Sequence, residues 1–410
     1  MEENNNERKI RENNKKKQEE NQRIFRENIK KVIEIINEQD GDKKIDEIEL
    51  QDKQHEKISI RNENYLHLCG DPHYYSPGTK AVMADRQIKR GMKKGIVSLE
   101  EIGNAKAIVT YLPTKKWFIA YGGWGNGDER TAMMGAACGD VAGSVYEHHN
   151  IKFKPDVNKL IQQGAFFTDD TVMTCAVADG LRKGLALLPK DWLHYQESES
   201  ILFNSVQEAL LRYGKKYPHA GYGGRFRRWL SSSNPQPYGS LGNGSAMRAS
   251  YAGWAALTLE EAEKLGEITA RVTHNHPEGI KGAKVVAGSI FILRNGGSKA
   301  DVKEYAEQYY NLDFSLNEIR DNYRFDVTCK GSVPQAIVAF MQESNFADVI
   351  ASTISIGGDS DTIAAIAGSI AEAIYPIPQG IRGRVIDRMD KYLLNTIVEA
   401  VDFVYQRLPD

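Results

Sequence analysis

Cysteine is scarce in this chain: Cys69, Cys138, Cys175 and Cys329 are the only four in 410 residues, and no two form a CxxC pair. Thiols so few and so widely spaced, each in or near an apolar stretch, argue against a disulfide-stapled secreted scaffold and read as reduced cysteines. Charge of one sign is also lacking. Lys and Arg number 53 against 55 Asp and Glu, a formal net charge of -2, so no basic field points to nucleic acid and no acidic excess to a basic partner. No charge-free run approaches the ~20 residues needed to span a bilayer, and no basic segment followed by an apolar one opens the chain. The expectation is a cytoplasmic protein without a membrane partner. The alternation of strand, glycine loop and helix typical of dinucleotide-binding sheets is missing as well, which excludes a doubly wound fold.

What is present divides into three stretches. Residues 1–56 are nearly all Glu, Lys, Asn, Arg and Gln, with Phe25, Ile29, Val32, Ile33 and Ile36 at helical spacing. This stretch is either one amphipathic helix ending near Asp40-Gly41 or a solvated tail. Residues 57–127 combine turn signals, such as Asp71-Pro72 and Ser76-Pro77-Gly78, with strand-like runs at 107–112 and 117–121. They read as a small mixed module, closed by a glycine-rich joint beginning at Gly122-Gly123. Residues 128–410 form the third stretch. Segments 133–145, 171–187, 260–272, 282–294, 333–341 and 362–374 carry apolar residues three or four apart, so helices dominate there.

The chemistry gathers where two of these helices begin. Thr168-Asp169-Asp170 precedes one and Gly357-Gly358-Asp359-Ser360-Asp361-Thr362 another. A single Asp, Ser or Thr is enough to cap a helix, yet here four carboxylates and two hydroxyls stand at two helix starts. Should the starts face one another, the carboxylates would repel strongly unless cations lay between them. All-oxygen donors select Mg²⁺, Mn²⁺ or Ca²⁺ over zinc, and the paired glycines allow the tight turn such convergence needs. Paired cations suggest a hydrolase acting on a sugar or a phosphate. The residues alone leave phosphatase and glycosidase both open.

Beyond that point the third stretch resembles the ADP-ribosylglycohydrolase family, including the dinitrogenase-reductase-activating glycohydrolases, and in particular its compact bacterial members. The resemblance runs from about Met134 to the C-terminus through Gly135-Ala-Ala-Cys-Gly-Asp-Val-Ala-Gly-Ser-Val-Tyr-Glu147, Phe166-Phe-Thr-Asp-Asp-Thr-Val-Met173 and Gly221-Tyr-Gly-Gly-Arg-Phe-Arg-Arg-Trp229. It continues through Gly242-Asn-Gly-Ser-Ala-Met-Arg248, Thr273-His-Asn-His-Pro-Glu-Gly279 and Gly357-Gly-Asp-Ser-Asp-Thr362. It implies an all-α orthogonal helical bundle, here with a small mixed α/β N-terminal extension. It also implies two Mg²⁺ ions, with Mn²⁺ as the alternative, held by Thr168, Asp169, Asp170, Asp359, Asp361 and Thr362.

The implied reaction removes ADP-ribose from an ADP-ribosylated protein or other conjugate by cleaving its glycosidic bond. Glu147 resembles the family's gating or acid/base glutamate, and Asp169 or Asp361 would share the base role. The loop Asn243-Gly244-Ser245 suits close backbone approach to a diphosphate, and with His274 it completes the expected substrate contacts. Of His274 and His276, one is expected to face ligand and the other to be structural. Arg248 is expected either to hold the loop or to meet phosphate. Tyr222, Phe226 and Trp229 are packing candidates first and adenine-stacking candidates second. A further reading makes the chain an immunity protein whose N-terminal extension blocks a cognate ADP-ribosyltransferase toxin, with or without hydrolysis.

Overall fold

The computed structural model describes residues 132–407 in full and, of the preceding stretch, the backbone of six strands. Two compact units divide the chain between Glu129 and Arg130. In the first, β1 (Ile48–Gln51), β2 (Lys57–Ile60), β3 (Leu66–Cys69), β4 (Leu99–Ile102), β5 (Ala105–Tyr111) and β6 (Trp117–Tyr121) form one sheet in the order β1-β2-β3-β6-β5-β4. All pairings are antiparallel except β3 with β6. The strand-like runs at 107–112 and 117–121 coincide with β5 and β6. The apolar stripe at 25–36 and the glycine-rich joint lie outside the described residues.

The second unit is built from helices. In chain order they are α1 (Met134–Gly143), α2 (Asp169–Ala186), α3 (Ser198–Lys216), α4 (Gly224–Leu230), α5 (Ser250–Ala255), α6 (Leu259–Arg271) and α7 (Pro277–Arg294). There follow α8 (Lys299–Glu307), α9 (Leu316–Ile319), α10 (Cys329–Gln342), α11 (Phe346–Ile354), α12 (Ser360–Ala371), α13 (Gln379–Ile386) and α14 (Lys391–Arg407). Between residues 132 and 407 no strand interrupts them, and the only extended pairing is a single bridge between Gly242 and Thr328. The all-α class expected for this region is what the structure has. Among the described residues no helix is long and apolar enough to cross a membrane.

Helices α1 and α12 form the centre, and every residue of both is buried. Their contact is backbone against backbone. Gly135, Gly139 and Gly143 recur every fourth residue and so share one face of α1. A Cβ at Gly139 would lie 2.0 Å from the Ala364 carbonyl oxygen, and one at Gly143 would lie 2.4 Å from the Asp361 Cα. Gly368 returns the approach from the other side, its absent Cβ falling 2.3 Å from the Gly135 carbonyl oxygen. The same device recurs at Gly180 of α2, where a Cβ would stand 2.7 Å from the Val206 Cα of α3.

Outer helices close over this pair with amphipathic faces. On α3 the buried stripe is Leu202, Val206, Ala209, Leu210 and Tyr213, and on α14 it includes Leu393, Ile397, Ala400, Val401 and Val404. The C-terminal end of α14 is fixed by a buried ion pair between Arg407 and Glu261. The Glu261 carboxylate also accepts from Trp192 Nε1 and, at 2.6 Å, from Leu257 N. Two helices begin earlier than apolar spacing suggests. α7 starts at Pro277 because His276 caps it and proline suits the first turn. α10 starts at Cys329 under the cap of Thr328 and carries Pro334 inside it.

The glycine contact yields the first prediction. Gly139→Ala gains up to about 1 kcal/mol of helix propensity but places a methyl group inside a carbonyl's radius, and overpacking of this kind costs about 1–3 kcal/mol. Denaturant titration should therefore give a net loss of stability for Gly139→Ala. Gly164→Ala, where a Cβ meets nothing within 4 Å, should stay within about 0.5 kcal/mol of the parent. Equal stability of the two variants would refute the contact.

Candidate active site

The close approach of α1 and α12 brings the beginning of α12 beside the end of α1, and the start of α2 meets them there. At the start of α2, Thr168 is the N-cap and its Oγ1 accepts from Asp170 N at 3.3 Å. At the start of α12 the equivalent position is Asp359, but its side chain caps nothing. Instead Asp359 Oδ2 accepts from Asn243 Nδ2 at 2.6 Å, and the same amide donates to Ser332 Oγ at 2.9 Å. Simple capping therefore accounts for Thr168 but not for Asp359. Gly357 and Gly358 have φ values of 68° and 72°, the left-handed turn that lets Asp359 and Asp361 both reach inward.

Two groups of carboxylates result. Asp140, Asp170 and Asp361 each place an oxygen within 4.8 Å of the others, and so do Glu147, Asp359 and Asp361. Asp361 belongs to both. Thr362 Oγ1 donates to Asp170 Oδ2 at 3.0 Å, while Asp170 Oδ1 is buried with no hydrogen-bond partner among the described residues. Asp169 is half-buried and lines the same cleft on the side of Gly221.

Burial is the largest influence on each of the five aspartates. It pushes Asp140 and Asp359 up to about 6, and with the nearby Asp140 charge it pushes Asp169 up to about 7. Asp170 and Asp361 are raised further, first by burial and then by neighbouring carboxylates. A donor set made only of carboxylate and hydroxyl oxygens, with one buried carboxylate oxygen left unpaired, fits hard divalent cations. It offers no nitrogen or sulfur of the kind that zinc and copper favour.

These groups floor a cleft of about 600 Å³, within the range of small-molecule sites. Thr168, Asp169, Asp170, Asp359, Asp361, Thr362 and Glu147 all line it, as do Asn243, Gly244 and His274. Ser245 stands apart: its hydroxyl is buried and donates to the Gly279 carbonyl at 2.7 Å, so it braces the loop and does not line the cleft. Arg248 lines the cleft but is buried, its Nη2 holding Thr269 O at 3.1 Å and Thr273 Oγ1 at 2.7 Å. Burial lowers it only to about 10, so it remains a cation.

His274 is held through Nδ1 by Thr273 Oγ1 at 2.7 Å. Burial, aided by Arg248 and Arg225, drives it well below the usual imidazole range, and it is neutral. His276 instead caps α7, its Nδ1 accepting from Glu278 N at 3.1 Å. Tyr222, Phe226 and Trp229 pack on one another at centroid separations of 5.2 and 5.4 Å, and of the three only Phe226 lines the cleft.

Three contributors have no place in the sequence reading: Asp140, Lys152 and Asn150. Asp140 stands within the motif running from Gly135 to Glu147, where the available signal is a lone carboxylate in an otherwise apolar helix. Lys152 donates to Tyr323 O at 2.7 Å and Ile356 O at 2.6 Å, while Asn150 Oδ1 accepts from Gly358 N at 3.1 Å. Together they tie the segment following Glu147 to the turn preceding Asp359.

Comparison with known proteins establishes the family. A family model for ADP-ribosylglycohydrolase matches residues 129–407, and the chain belongs to that family. Among curated relatives, mouse ADP-ribosylhydrolase ARH3 is 25% identical over 325 residues, spanning 61% of this chain and 84% of its own. ADP-ribosyl-[dinitrogen reductase] glycohydrolase of Rhodospirillum rubrum is 26% identical over 275 residues, spanning 61% and 87%. ADP-ribosylarginine hydrolase Tri1 of Pseudomonas putida (strain GB-1) is 25% identical over 269 residues, spanning 60% and 70%. A solved ADP-ribosylglycohydrolase-related protein complex matches 68% of this chain and 98% of its own, with 20% identity and a TM-score of 0.47.

The raised carboxylates carry a pH dependence of fixed sign. An unfolded Asp ionises near 3.8, whereas burial pushes Asp359 up to about 6 and Asp169 up to about 7 in the fold. The folded state therefore holds extra protons between these values, and stability must fall as pH rises through that window. In chelator the melting temperature should drop from pH 4 to pH 7 from this source, and saturating Mg²⁺ or Mn²⁺ at pH 7 should recover it. A melting temperature at pH 7 indifferent to both cations would refute the site.

Proposed function

We propose that this chain removes ADP-ribose from an ADP-ribosylated protein or related conjugate by hydrolysing the glycosidic bond, with two divalent cations, Mg²⁺ or Mn²⁺, at the acidic floor. The observation that carries the reading is the pair of carboxylate groups sharing Asp361 beneath a cleft of about 600 Å³. Thr168, Asp169, Asp170, Asp359, Asp361 and Thr362 would hold the cations. When bound, such ions orient a sugar diol and lower the pKa of water.

The chain's own groups divide the remaining work. Asn243 donates to one oxygen of Asp359 and so orients that carboxylate at the cleft. Glu147 lies at the cleft with its side chain 28% exposed, able both to meet substrate and to exchange a proton with solvent. It is placed to supply or accept the proton that leaving-group departure and water attack require. Asp169 and Asp361, whose carboxyls burial has raised, are the other proton-carrying candidates. Neutral His274 presents an uncharged wall above Gly244, so a diphosphate there meets backbone N–H groups and the fixed cation of Arg248.

The reading is tested by offering ADP-ribosyl conjugates of defined linkage and following released ADP-ribose, with phosphomonoesters as the contrasting substrate. Chelation should abolish release, with Mg²⁺ or Mn²⁺ restoring it. Asp361→Asn should lose nearly all turnover while keeping the helical circular dichroism spectrum. Glu147→Gln should retain wild-type cation stoichiometry on calorimetric titration yet lose about 10²- to 10⁴-fold in turnover, the usual worth of a positioned acid or base. Unimpaired turnover in Glu147→Gln would remove it from the chemistry.

The same chemistry is proposed to need only the helical unit. A chain beginning at Gly127 should fold to a helical spectrum and retain glycohydrolase activity, because the helical unit has its own buried core among the described residues and holds both carboxylate groups. An inactive or insoluble product would make the preceding stretch part of the enzyme's core.

A further inference from the structure

Asp140 belongs to α1 and to neither acidic helix start in the sequence, and its carboxylate is fully buried. All its hydrogen bonds come from the beginning of α2. Oδ2 accepts from Thr168 N at 2.9 Å, from Thr171 N at 3.0 Å and from Thr171 Oγ1. Oδ1 accepts from Thr168 Oγ1 at 2.8 Å. The Thr168 hydroxyl has one proton and a second possible acceptor, Asp170 Oδ2, at the longer distance of 3.4 Å. The shorter, better bond takes it. With that proton committed to Asp140, the lone pairs of Thr168 Oγ1 face the other way, one toward Asp170 N and the other toward the cleft that Thr168 lines.

From this arrangement we infer that Asp140 is a positioning residue: it sets the polarity of the Thr168 hydroxyl so that this oxygen presents a lone pair, not a proton, to a divalent cation. The inference rests on the cation reading above, and Asp140 acts through Thr168 without being a ligand itself. Its two oxygens are not equivalent. Oδ2 faces two backbone N–H groups and must stay an acceptor. In Asp140→Asn the amide oxygen therefore has to occupy that position, which turns the NH₂ toward Thr168 Oγ1. The hydroxyl becomes an acceptor from the amide and releases its proton toward Asp170. An isosteric change thus leaves the cap of α2 in place and reverses a single hydrogen.

The test is calorimetric titration of Mn²⁺ into the full chain, with chelator-treated melting curves alongside. Asp140→Asn should bind Mn²⁺ roughly 10- to 100-fold more weakly, the usual effect of removing a group that orients a ligand, while its melting temperature in chelator stays near that of wild type. Thr168→Val should weaken binding to a similar degree, and the double variant should be no weaker than the weaker single one, because both changes remove the same lone pair. Wild-type affinity in Asp140→Asn overturns the inference. Additive losses in the double variant also overturn it, since Asp140 would then bind the ion directly. A wild-type chain that takes up no Mn²⁺ removes the cation reading and this inference with it. If Asp140→Asn does not fold, Thr168→Val decides: wild-type affinity refutes the role and weakened affinity supports it.

Discussion

Helices α1 and α12 touch through bare backbone, because Gly135, Gly139 and Gly143 on one and Gly368 on the other leave no side chain between them. Helix axes separated by ordinary side chains lie about 8–10 Å apart, and removing those side chains brings the backbones nearer. The consequence is positional. Gly143 sits against the Cα of Asp361 and Gly139 against Ala364, so α12 has one depth and one register relative to α1. Asp140, adjacent to Gly139, and Asp361, adjacent to the Gly143 contact, thereby join one group of carboxylates.

That convergence runs against electrostatics. Buried carboxylates crowded together raise one another's pKa and oppose the compact state. The fold offsets part of the cost with directed donors: four hydrogen bonds reach Asp140 from α2, Asn243 reaches Asp359, and Thr362 reaches Asp170. Helix N-termini at Asp169 and Ser360 add favourable partial positive charge. The offset is incomplete at Asp170 Oδ1, which has no partner among the described residues. Such a deficit is what a cation-binding carboxylate presents, since a fully satisfied oxygen has no lone pair to give.

The opposite wall of the cleft is organised by a different rule. Arg248 is buried and held by Thr269 and Thr273, and burial, aided by the Arg248 and Arg225 charges, keeps His274 neutral. Ser245 ties the loop to Gly279, and the bridge from Gly242 to Thr328 ties it to α10. Glycine at 244 leaves room for the His274 ring, whose Nε2 would stand 3.1 Å from any Cβ there. Negative charge is thus concentrated on the floor, while the wall supplies shape and one buried cation. An acidic floor facing a cationic Arg248 gives a polar ligand a defined direction in the cleft.

Helical periodicity, the two acidic helix starts and the left-handed turn at Gly357-Gly358 were legible in the sequence because each is local. A helix repeats within four residues, a cap within three, and a glycine turn within two. The same locality hid α3, whose stripe of Leu202, Val206, Ala209, Leu210 and Tyr213 is diluted by polar neighbours. It also obscured the true start of α10, where the cap at Thr328 opens the helix ahead of the apolar segment 333–341. Sequence by itself determined an all-α domain with hard-oxygen donors at the starts of two helices. Only the tertiary structure decided that Asp140 joins them, that Asn243 holds Asp359 across 116 residues, and that the Ser245 hydroxyl turns away. Each of these relations joins segments far apart in the chain, and the glycine spacing on α1 permits a close approach without naming the face of α12 that will make it.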